Sequence, residues 1–214
     1  MDIEMMVNML ARWGHLLFGI TWIGMLYYFN FVQGGYFKSA SPEGLADAKS
    51  KLAPNALWWF RWGAMMTFVT GVILLYGVHK MSQMNSYIAL GALLGTFMFL
   101  NVWLVIWPNQ KIALGMVEGD GPAAGAKALL ASRTNTLFSA PMAYCMLAGP
   151  HAGAYGTHNV ASGNLTSMWI VVGITILLEI NALVGKQGPL ETVRGVIVSS
   201  LVLTGIYVAV LQMM

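Results

Sequence analysis

Apolar residues run through this chain in long blocks rather than in the strict alternation of half-buried strands. A helix needs about 20 apolar residues to cross a bilayer core. Such blocks recur at about 8–32, 57–78, 86–107, 128–149, 166–185 and 192–212, with ends uncertain by a few residues. Gly-Pro, Asn and Ser clusters punctuate the connections. The pattern predicts an all-α, polytopic integral membrane helix bundle of about six transmembrane helices. It forms a single transmembrane domain over residues 1–214, with no internal repeat or low-complexity segment. The fourth block is the least regular, because Arg133, Asn135 and Pro141 interrupt it. Its first turns are expected outside the lipid.

Composition agrees: 57% of residues are hydrophobic and 9% are charged, where a soluble domain carries about 25% charged residues. The net charge of +3 does not argue for nucleic acid, since the basic residues gather in loops. Lys38, Lys49, Lys51, Lys111, Lys127, Arg133 and Lys186 follow the first, third and fifth predicted helices, with Arg61 and Arg194 at adjoining helix starts. The other side holds Lys80, with Arg12 inside the first helix. The positive-inside bias puts the first group in the cytoplasm, so both termini face outward, to the periplasm if the cell is a Gram-negative bacterium with this chain in its inner (plasma) membrane. All four histidines, His15, His79, His151 and His158, then fall toward the outer side. The acidic start "MDIEMM" does not read as a signal peptide, and Cys145 reads as a small core residue. No Walker loop, dinucleotide fingerprint or C-x-x-C-H segment is present. No catalytic side chain is assigned, and any catalysis would belong to a cofactor.

The stretch "RWGHLLFGITWIG" places ionisable groups in a membrane helix, where they cost free energy unless something answers them. Positions three or four apart share a helix face, so Arg12, His15, Gly19 and Trp22 form one stripe. A haem b ligated by the His15 imidazole fits this stripe, with its propionates toward Arg12 and its macrocycle against Gly19 and Trp22. The alternative is plainer. His15 hydrogen-bonds a neighbouring helix, Arg12 snorkels to the headgroups, and Gly19 and Gly24 allow close packing.

Further polar groups lie inside the apolar blocks. Glu179 in "ITILLEINALVG" is expected to be protonated, paired or facing an interior cavity, with Arg61 and Arg194 as candidate partners. Asn101 and Asn30 are expected to donate hydrogen bonds between helices, and "GALLG", Gly91 to Gly95, has the spacing of close helix contact. Trp58, Trp59, Trp62, Trp103 and Trp107 suit an interfacial belt. The 16 methionines are scattered, which favours packing over copper binding. His151 and His158 lie in a glycine-rich loop without acidic or cysteine companions, so a solvated loop is expected over a zinc or copper site.

Four blocks, "RWGHLLFGITWIG", "WFRWGAMMTFVTG", "NVWLVIWPNQK" and "SRTNTLFSAPMAYCMLAGPH", together resemble the N-terminal membrane domain of the bacterial urate oxidases (urate hydroxylases) that carry a C-terminal cytochrome c. The first block is also similar, more loosely, to membrane-bound haem-binding protoporphyrinogen oxidases and copper-resistance membrane proteins. The resemblance covers roughly residues 8–151 and implies a helical membrane protein tied to redox chemistry and periplasmic electron transfer. It matches His15 to the family's first-helix histidine and His151, which follows Pro150, to the one ending its "P…H" block. His151 is therefore preferred over His79 and His158 as second axial ligand to haem iron. This sequence holds no cytochrome c module, so the expected electron partner is a separate periplasmic cytochrome c, with other membrane subunits alongside.

The expected function is a haem b-binding protein that passes electrons between a membrane donor and that carrier. The rivals are an accessory subunit of a larger oxidoreductase complex, or a small transporter built around Glu179 and Asn101.

Overall fold

Lipid offers no partner to a backbone amide, so a chain of this composition satisfies its main chain within helices. The computed structural model describes residues 2–81, 83–151 and 165–213. Helix α1 (Ile3–Tyr27) continues through a π-helical turn (Tyr28–Gln33) into α2 (Gly34–Ser39). Ser41 then starts α3 (Pro42–Asp47): its Oγ accepts from Gly44 N at 3.2 Å, and Pro42 occupies the first turn, where no amide hydrogen is needed. A second π turn (Ala48–Leu52) leads into α4 (Ala53–Lys80).

Asn85 caps α5 (Ser86–Leu100) by accepting from Ile88 N at 3.0 Å, and its amide also donates to the Gly149 carbonyl at 3.0 Å. A third π segment (Asn101–Ile106) joins α5 to α6 (Trp107–Ala113). The connection that follows uses Gly115 at φ 74° and Gly119 at φ 156°, backbone conformations that side chains other than glycine rarely adopt. Asp120 accepts from Ala123 N at 3.0 Å to begin α7 (Gly121–His151). Then come α8 (Thr166–Val184), a 3-10 turn (Gly188–Glu191) and α9 (Val193–Met213).

Among the described residues, five continuous helical runs are long and apolar enough to cross a membrane: Ile3–Ser39, Pro42–Lys80, Ser86–Ala113, Thr166–Val184 and Val193–Gln212. The first two far exceed the apolar block seen in sequence. A run of 37 residues spans about 55 Å, against a hydrocarbon core of about 30 Å. The Gly34–Ala53 hairpin, with Lys38, Glu43, Asp47, Lys49 and Lys51, accounts for part of the excess, and Lys51 pairs with Asp47 there.

Helix α7, less apolar than these, is the hub. Helices α1, α5, α6, α8 and α9 all pack on it, and every residue from Leu130 to Ser139 is buried. That enclosure is why Arg133, Asn135 and Thr136 are tolerated at this depth: they face neighbouring helices, not lipid. Large apolar side chains on the other helices point outward instead, among them Leu16, Leu104, Leu177 and Leu201.

Small residues set the closest approaches, as expected where packing rather than water exclusion drives helix association. A side chain on Gly63 of α4 would meet the Trp22 main-chain nitrogen of α1 at 3.1 Å, and one on Gly91 of α5 would meet Cys145 Cβ of α7 at 3.0 Å. Trp22, Leu26, Phe60, Leu90, Leu94, Met98 and Phe138 fill the core between these seams.

Candidate functional site

The α1 stripe faces α4. His15 Nδ1 lies 2.9 Å from the Thr67 carbonyl oxygen and 3.1 Å from Thr70 Oγ1. A carbonyl can only accept, and Thr70 already donates to the Met66 carbonyl at 2.7 Å. The hydrogen therefore sits on His15 Nδ1, and in the neutral ring Nε2 carries the lone pair. Nε2 has no hydrogen bond among the described residues. An imidazole fixed through Nδ1 on a backbone carbonyl, with Nε2 free, is the arrangement that orients a histidine ligand. Gly71 of α4 makes room for the ring, since a Cβ there would come within 3.1 Å of His15 Cε1.

The rest of the stripe divides. At Gly19 an added Cβ would meet nothing within 4 Å, and the same holds for Gly24, so neither glycine serves a helix contact. Arg12 is exposed and donates from Nε to Asn8 Oδ1 at 2.7 Å within its own helix. Trp22 is 2% exposed, and its main chain packs against Gly63. Its Nε1 is buried without a hydrogen-bond partner among the described residues.

His151 is the last residue of α7 and is exposed, as is His79 near the end of α4. His158 lies outside the described residues. Helices α1 and α7 run antiparallel, with Tyr27 hydroxyl and Ser139 Oγ at 2.8 Å and Asn30 donating to Ser132 Oγ at 2.8 Å. Counting equally far outward from Tyr27 and Ser139 arrives at His15 and His151, which are level by residue number. Among the described residues no group of three His, Cys, Asp or Glu gathers to hold a bare metal ion.

A second polar constellation surrounds the middle of α7. Asn101 Nδ2 donates to Glu179 Oε2 and to Asn135 Oδ1, both at 3.0 Å, and Asn135 Nδ2 donates to the Met98 carbonyl at 2.9 Å. Asn101 is 1% exposed and Asn135 is wholly buried. Asn101 also opens the third π segment, and such turns recur at functional positions. Glu179 therefore has an amide for its partner. Neither arginine suggested by the sequence pairs with it: Arg61 lies over the Trp107 ring, 3.4 Å from its centre, and Arg194 is exposed.

Sequence reasoning treated Asn135 as an interruption and Arg133 as both an interruption and a cytoplasmic loop charge, whereas Arg133 lies in the buried section of α7. Their signal was the unbroken polar run "SRTNT", Ser132 to Thr136, which no lipid-facing helix would carry. Arg133 is 8% exposed, and its Nε and Nη1 are buried without a hydrogen-bond partner.

Long apolar helices packed round a polar hub define a multi-pass helical membrane protein. The family model described as "Urate oxidase N-terminal" matches residues 76–208. That stretch is more than half of the chain, and the chain belongs to this family. No curated protein and no solved structure matches it. The matched stretch holds Asn101, Arg133, Asn135, His151, Glu179 and Arg194, while Arg12, His15, Gly19, Trp22 and Arg61 precede it. The family match thus begins later, and runs further, than the resemblance at about residues 8–151 on which the sequence reading rested.

Proposed function

We propose that this chain is a haem b-binding redox protein of the bacterial inner membrane. In this reading it passes electrons between a membrane donor and a periplasmic cytochrome c, within a complex that includes other membrane subunits, and both termini face the periplasm. The observation that carries the reading is the His15 ring, anchored through Nδ1 on the Thr67 carbonyl with Nε2 unbonded. The open flank at Gly19 is compatible with a flat ligand beside it.

The residues fit an axial ligand and its orienting shell. His15 would supply Nε2 to iron, Thr67 and Thr70 hold the ring, and Arg12 would exchange Asn8 for a propionate carboxylate. His151 is the candidate for the second axial position. Bound haem would supply one-electron transfer, and the helices would fix its orientation and surround it with low-dielectric packing.

A second reading has support of its own. Arg12 answers its charge within α1, and the His15 bonds also fasten α1 to α4, so an accessory subunit without a cofactor would use the same contacts. Absorption spectra of the protein expressed with ample haem, oxidised and dithionite-reduced, separate the two. A Soret band that His15→Ala abolishes, with helicity unchanged, is expected. A colourless wild-type protein would end the haem reading and leave the accessory one.

A further inference from the structure

Glu179 and Arg133 face the same problem, a charge inside the bundle, with different chemical means. A carboxyl can take up a proton and become neutral. A guanidinium cannot lose its charge in a protein. Arg133 sits on the fully buried section of α7, is itself 8% exposed, and leaves Nε and Nη1 without a partner. The carboxylates that pair with cations among the described residues are Asp47, with Lys51, and Glu4, with Lys80. Glu179 is held by Asn101 instead. Burying an unanswered cation costs several kcal/mol even after relaxation, so a structure that retains one implies an anion to meet it.

A second buried orphan lies on the first π turn. Asn30 of the first π turn donates to Ser132, the residue before Arg133, yet its own Oδ1 is buried with no partner. Helical side chains lean toward the N-terminal end of their helix. For α7 this is the end shared with the Gly34–Ala53 hairpin and the α8–α9 turn, which carries Lys38, Lys49, Lys51, Lys111, Lys127, Lys186 and Arg194. Glu43, Asp47, Glu118, Asp120 and Glu191 share that end, so its basic residues outnumber its acidic ones only narrowly.

We infer that Arg133 is the anchor of an oxyanion site on α7, taking a phosphate or carboxylate group that arrives from the lysine-rich end. The group belongs either to an acidic lipid headgroup or to a small soluble anion. The guanidinium supplies charge-assisted N–H donors to that group.

The test follows thermal unfolding of delipidated protein in neutral detergent. Inorganic phosphate is titrated at constant ionic strength, and in parallel nanodiscs of phosphatidylcholine are compared with nanodiscs of phosphatidylglycerol. A saturable rise in Tm is expected in wild type and in Arg61→Gln. In Arg133→Gln the apparent affinity should weaken by roughly tenfold or more, the loss expected for a hydrogen bond to a charged group. A response to phosphate assigns a soluble anion, and a response to phosphatidylglycerol alone assigns a headgroup. Wild-type Tm unchanged in every condition overturns the site, as does a shift that Arg133→Gln keeps in full. If Arg133→Gln does not fold, Arg133→Lys takes its place: it keeps the charge, loses the planar fork and should bind more weakly, and equal binding overturns the site. The haem spectrum is independent of this outcome, so failure here and failure at His15 are distinguishable.

Discussion

Glu179 of α8 is held by Asn101 of the third π segment, whose Nδ2 reaches Oε2 at 3.0 Å and Asn135 Oδ1 at the same distance. One neutral amide nitrogen thus ties three helical segments together where the sequence suggested an ion pair.

This geometry orders two substitutions. Glu179→Gln keeps an oxygen for Asn101 and should change unfolding free energy by no more than about 1 kcal/mol. Asn101→Leu strands Asn135 Oδ1 and the Glu179 carboxyl, and should cost about 2–3 kcal/mol. Unfolding in mixed detergent by SDS titration measures both. The reverse order would mean that Glu179 is ionised against a cation and that its hydrogen bond to Asn101 is secondary.

The two glycines of "GALLG" are not equivalent. A Cβ on Gly91 would lie 3.0 Å from Cys145 Cβ, whereas one on Gly95 would meet nothing within 4 Å. Gly91→Val should push α5 off α7 and lower stability by about 1–3 kcal/mol. Gly95→Val should stay within about 1 kcal/mol of wild type, since only helix propensity changes. Equal losses in the two variants would contradict the seam, and thermal scans suffice to compare them.

Hydropathy reads the lipid-facing part of a helix and nothing else, which explains what was legible. The block at about 57–78 lies inside α4, Ala53–Lys80, and the block at about 128–149 lies inside α7, Gly121–His151. Charged and alanine-rich flanks extend helices past the apolar layer without adding to hydropathy, so the continuous Pro42–Lys80 run was not visible. The π turns have no side-chain signature. Glu179 and Asn101 were each conspicuous as polar residues in apolar blocks, yet they are 78 positions apart and their pairing depends on how α8 and the third π segment dock. Arg61 could not be assigned to Trp107 for the same reason.

Gly19 separates the two functional readings through a change that the fold itself should ignore. A Cβ there meets no atom within 4 Å, so Gly19→Leu is expected to fold with a Tm within a few degrees of wild type, gaining slightly in helix propensity. A flat cofactor against this flank would be displaced, and the Soret absorbance per protein should fall several-fold. Gly71→Ala acts from the other side, pressing on His15 Cε1 at 3.1 Å, and should alter the same band by moving the ligand. A haem-loaded Gly19→Leu protein with an unaltered spectrum would place the cofactor elsewhere.

Arg61 and Trp107 supply a coupling that can be measured without any ligand. The guanidinium carbon lies 3.4 Å from the indole centre, and the Lys111 ammonium approaches the same ring at 5.5 Å. Arg61 Nε and Nη1 are buried with no hydrogen-bond acceptor, so the electron-rich ring face is the favourable environment the structure gives them. Stacking of this kind is worth about 1–2 kcal/mol once water is excluded. Trp107→Leu should therefore destabilise by more than the lost packing alone, because it leaves Arg61 buried over an aliphatic side chain. Arg61→Met in the Trp107→Leu background should recover part of the loss, although the same change in wild type destabilises. A double-mutant cycle on unfolding free energies reads the difference, and a coupling indistinguishable from zero would show that the stacked geometry contributes nothing to stability.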